Sequence, residues 1–192
     1  SADYTDQLLE LGEKHLHYLE QPPANQYTHD HMAGDKSMSL AYIDFLLSQN
    51  RELGIERIYL FLERADSIFP HFIKYLAETF QQESLPMLIK AIGKEPKGRY
   101  FRYHQTLFDL LDQLDYTPFL RTVLDYAIFK AGKEDRQIIS KSLIKLGNVA
   151  IAKAKELLVG KTVNERILGA LMLTHVNTPE IKSLLRDCVD SE

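Results

Sequence analysis

The chain has no tryptophan and a single cysteine, Cys188. One thiol closes no internal disulfide and supports no thiolate zinc cluster. Glycine and proline are scarce, 9 and 7 residues of 192. They fall mostly between apolar runs, which suits helices better than many short strands. No run reaches the apolar length needed to cross a bilayer, and the first residues are polar and acidic, unlike a signal peptide. The sequence also lacks a phosphate-cradling glycine loop, an HExxH helix and a nucleophile elbow. Its formal net charge of −4 is too small to make the whole chain a polyanion binder. These absences point to a non-enzyme without cofactor or bound metal, and to the cytoplasm as its place.

What is present is a recurrence. Asp135-Arg136-Gln137-Ile138-Ile139-Ser140 and its continuation to Leu146-Gly147 align with Glu165-Arg166-Ile167-Leu168-Gly169-Ala170 and its continuation to Val176-Asn177. Each copy starts on an acid–Arg pair and ends on a turn residue. A second amphipathic run then follows, with Ile151, Ala154, Leu157 and Leu158 after the first copy and Ile181, Leu184, Leu185 and Cys188 after the second. The offset is about 30 residues, within the range of helix-pair repeats.

Taken in order, Leu8, Leu11, Leu16 and Leu19 predict a helix over 4–20, stopped by Pro22-Pro23. A long break from Gln21 to Lys36 carries Tyr27, His29 and His31. The next helix runs to about Leu53 and is ended by Gly54. Residues 55–65 are strongly apolar, and their neighbours make helix the reading. Further helices are expected over about 68–82, 85–93, 99–115, 117–131, 134–146, 148–159, 163–176 and 178–190. Pro70, Pro86, Pro118 and Pro179 each stand two residues before an apolar anchor, suiting a first helical turn, where the missing N–H is no loss. Gly93 to Gly98 is the second break.

The segment 117–190 resembles HEAT-type repeats. The likeness rests on Asn164, Arg166, Ala170 and Leu173 in one helix and the Thr178-Pro179 start of the next. Gly169 beside Ala170 would let two helix backbones approach closely. Ser140 and Lys141, standing where the second copy has Ala170 and Leu171, depart from the pattern. The resemblance implies an all-α fold, a right-handed α-α superhelix of about ten or eleven helices. It would form one domain over 1–192, with atypical helices in 1–95 and regular pairs in 97–192. The pairing leaves 178–190 without a partner helix, so a fragment of a larger protein is expected.

Such arrays bind. The expected role is a non-catalytic scaffold for a protein or peptide partner, without membrane attachment. The alternative is nucleic acid, because charge is uneven: residues 1–96 carry net −7 and 97–192 net +3. Lys130, Lys133, Arg136, Lys141, Lys145, Lys153, Lys155 and Lys161 form the candidate surface, which a solenoid could line along one groove against phosphates. HEAT-like DNA glycosylases bind DNA in this manner, with tryptophan contacts that this chain lacks. His29-Asp30-His31 could bend toward a zinc ion, but solvated loop histidines are the simpler reading. His15 and His17, at i and i+2 of a helix, point to different faces. Asp109 and Asp112 share a helix face without making a catalytic pair. Tyr100 to His104 is read as sealing the joint after Gly98.

Overall fold

The computed structural model describes residues 31–64, 67–68, 70–96 and 103–190. The expected helix at 4–20, with His15 and His17, and the loop residues Tyr27, His29 and Asp30 lie outside them, as do Tyr100 to Arg102 and the Cys188 side chain. The described residues form ten α-helices, two 3₁₀ turns and one pair of two-residue strands. The chain is all-α in class. No described helix is long and apolar enough to cross a membrane. Two compact units divide it, residues 1–72 with 94–97, and 73–93 with 98–192.

In the first unit, α1 spans His31–Gln49 and α2 spans Arg51–Arg64. Two expectations fail here. The helix reaches back to His31, inside the expected loop, so Gly34 and Asp35 weaken the ladder without stopping it. The break then falls at Asn50 rather than Gly54. Asn50 Oδ1 accepts from the backbone N–H groups of Glu52 and Leu53, at 3.1 and 3.2 Å, and so caps α2. Gly54 lies inside that helix, where an added Cβ would meet Leu47 Cδ2 at 2.6 Å. It permits close approach instead of ending a helix. Tyr42, Ile43 and Leu46 of α1 are buried, as are Ile58, Phe61 and Leu62 of α2. Phe61 meets Phe72 edge-on at 4.9 Å between centroids. The strands, unforeseen in the sequence, are β1 (Ser67–Ile68) and β2 (Glu95–Pro96), paired in parallel.

The second unit begins within α3 (Pro70–Phe80) and continues through α4 (Leu85–Ala91), α5 (Tyr103–Leu111), α6 (Leu120–Phe129) and α7 (Lys133–Ile144). It ends with α8 (Asn148–Leu158), α9 (Val163–Thr174) and α10 (Pro179–Asp190). The prolines act as starters: Pro70 and Pro179 open their helices, Pro86 is in the first turn of α4, and Pro118 is in the 3₁₀ turn ahead of α6. The helix expected over 99–115 ends at Leu111, its residues 99–102 lying outside the described ones, and 85–93 shortens to Leu85–Ala91. Alternate helices pack together, α5 on α7 and α7 on α9, while α9 also meets α6, α8 and α10.

Its closest partner is α8, and Gly169 is why. A Cβ there would stand 2.5 Å from Leu158 N and 2.7 Å from Ala154 O, against backbone that cannot swing aside. The recurring arginines explain the rest of the repeat. Arg136 Nε donates to Ala127 O at 2.9 Å and Nη2 to Ile128 O at 3.4 Å. Arg166 Nη1 donates to Gly160 O and Lys161 O, at 3.2 and 3.3 Å. Each clasps carbonyls at the C-terminal end of the preceding helix: Arg136 those of the last turn of α6, where acceptors are left without an intrahelical donor, and Arg166 those of the turn just past α8. The acids diverge: Glu165 completes a capping box with Thr162, accepting from its N–H at 2.7 Å, whereas Asp135 turns to His104.

Candidate functional site

Helix α6 buries Val123, Leu124, Ala127 and Ile128, and α8 buries Ala150, Ala154, Leu157 and Leu158. These spacings put both apolar faces inward. The two outer helices do not close on each other fully, and a half-open trough of about 550 Å³ remains between them. Leu120, Leu124, Ile128 and Leu157 give it an apolar lining, while Thr117, Pro118, Arg121, Asp125, Lys153 and Glu165 complete its walls.

Its ionic groups are largely matched within their own helices. Arg121 Nε lies 3.8 Å from Asp125 Oδ2, and Lys153 Nζ donates to Glu156 Oε2 at 2.6 Å. Glu165 is held by Thr162, whose N–H and hydroxyl keep its carboxyl below the usual range. A trough with an apolar floor and internally paired walls can take up an apolar segment without stranding a charge.

The eight candidate cations do not behave as one set. Arg136 is taken up by the α6 carbonyls, as above. Lys145 Nζ binds Asp112 Oδ2, inside a network in which Ser142 Oγ donates to Asp112 Oδ1 at 2.5 Å. Tyr116 Oη, fully buried, meets Ser142 Oγ at 2.7 Å. Lys153 borders the trough, while Lys155 on the same helix is exposed. Lys130, Lys133, Lys141 and Lys161 are exposed. Three of the eight are therefore already engaged by protein acceptors: Arg136, Lys145 and Lys153.

A second network lies at the start of α5. His104 Nδ1 donates to Asp135 Oδ1 at 3.0 Å, and Tyr126 Oη stands 3.1 Å from His104 Nε2. Tyr103 Oη donates to Ala91 O at 2.8 Å, tying α5 to the end of α4 as the aromatic run implied. Burial pushes the Tyr126 hydroxyl up to about 12 and that of Tyr103 higher. An acid–histidine–tyrosine line resembles catalytic machinery, yet neither His104, Asp135 nor Tyr126 lines the trough. Its geometry suits cross-bracing of α4, α5, α6 and α7.

His31 stands at the start of α1 rather than in a loop, and its candidate co-ligands His29 and Asp30 lie outside the described residues. Among the described residues, no three His, Cys, Asp or Glu side chains gather as a metal site. Sequence reasoning missed the trough, whose residues come from three helices. The one available signal was Pro118 ahead of the Leu120, Leu124, Ile128 stripe. Comparison with protein families, curated proteins and solved structures finds no match to this chain.

Proposed function

We propose that this chain is a non-catalytic helical-repeat module, a short HEAT-like superhelix, that binds an apolar segment of a protein partner between α6 and α8. The trough carries this reading, because its floor is apolar and Arg121, Asp125 and Lys153 in its walls each have an opposite charge on their own helix. Alternate-helix packing from α5 to α9 supports the superhelix, as does the recurrence of Arg136 and Arg166 in one structural role.

Selection of displayed random peptides against the chain tests it. Peptides rich in leucine, isoleucine or phenylalanine are expected, with binding lost in Leu120→Glu and little changed by salt. Enrichment of charged peptides that ignore this substitution would sink the reading. Titration with duplex and single-stranded DNA separates the alternative, since phosphate contacts weaken steeply as salt rises. The engaged state of Arg136, Lys145 and Lys153 disfavours that outcome.

A further inference from the structure

We propose that the chain self-associates as a twofold dimer through the outer stripe of α6, paired antiparallel with its copy. Pro118, Arg121, Thr122, Asp125 and Phe129 recur at i, i+3 and i+4 spacing along one side of this helix and its leading turn, and all are exposed. Phe129 is 69% exposed, the only phenylalanine so presented among the described residues.

The stripe is its own complement when reversed. Reading from the N-terminal end, it presents a proline ring, a cation, an anion and an aromatic ring. A twofold axis near Val123 places Arg121 opposite the partner's Asp125 and brings Phe129 to the partner's Pro118. Symmetry then makes both contacts twice. Within one chain the Arg121–Asp125 pair is loose, 3.8 Å apart with the side chains 94% and 55% exposed, so either group can exchange its partner. An unrelated protein would have to supply this order of groups, and a second copy already has it. A single-helix interface is smaller than the roughly 800 Å² per partner of standard complexes, so the dimer is weak and concentration-dependent.

Sedimentation velocity over a concentration series, with no peptide present, tests this; Pro118, Arg121 and Asp125 also border the trough, so Phe129, which does not line it, separates the dimer from peptide binding. Wild type is expected to shift from monomer to dimer. Arg121→Asp and Asp125→Arg, each alone, oppose like charges and remain monomeric, but their equimolar mixture dimerises because each supplies the other's missing sign. Phe129→Ser weakens association at least tenfold, with an unchanged circular dichroism spectrum. A wild type that is monomeric at every concentration overturns the proposal. So do single variants that dimerise like wild type, or a mixture that stays monomeric.

Discussion

Tyr103, Tyr116 and Tyr126 are each kept protonated mainly by burial, beyond the ordinary tyrosine value of 10.0. A group with a raised folded value adds stability that is intact below the unfolded value and fades as pH climbs through the folded one. Unfolding free energy is therefore expected to fall between pH 10 and about 12, where Tyr126 titrates. Tyr126→Phe should flatten part of that decline in denaturant titrations, and an unchanged slope would refute this account. Little of this chemistry was legible. Lys145 reads as a surface cation because Asp112, its partner, is 33 residues away, and only folding reveals the pair. Arg136 and Arg166 were visible as a recurrence, but their acceptors are backbone carbonyls, which leave no mark in side-chain spacing.

At the scale of helices, Gly169 and Gly54 make a contrast. Gly169→Ala drives a methyl into the backbone of α8, while Gly54→Ala meets the movable end of Leu47. The first is expected to destabilise by about 1–3 kcal/mol, the second by clearly less, read from urea midpoints. Equal effects would mean that α8 and α9 are not locked at this point. The close approach at Gly169 was readable because a small residue inside an apolar stripe has few other uses. Gly54 misled for the opposite reason: a glycine at the end of one apolar run and the start of another mimics a stop, and the stronger signal was the amide of Asn50. The strand pair at Ser67–Ile68 and Glu95–Pro96 left no periodic pattern at all, being only two residues long on each side.

Across the molecule, the division into two compact units sets how it should melt. Each unit has its own buried cluster, around Ile58 and Leu62 in one and Leu143, Leu168 and Met172 in the other. Calorimetry is expected to show a total enthalpy larger than the van't Hoff value, the mark of more than one transition. Ile58→Ala should move one transition and Leu143→Ala the other, whereas a single two-state peak shifted by both would contradict it. The alternate packing of α5, α7 and α9 has a kinetic consequence. Every such contact joins helices only two places apart in the chain, so closing loops are short and the contact order low. This half of the protein is suited to rapid folding that can advance from α5 toward α9 as each helix emerges.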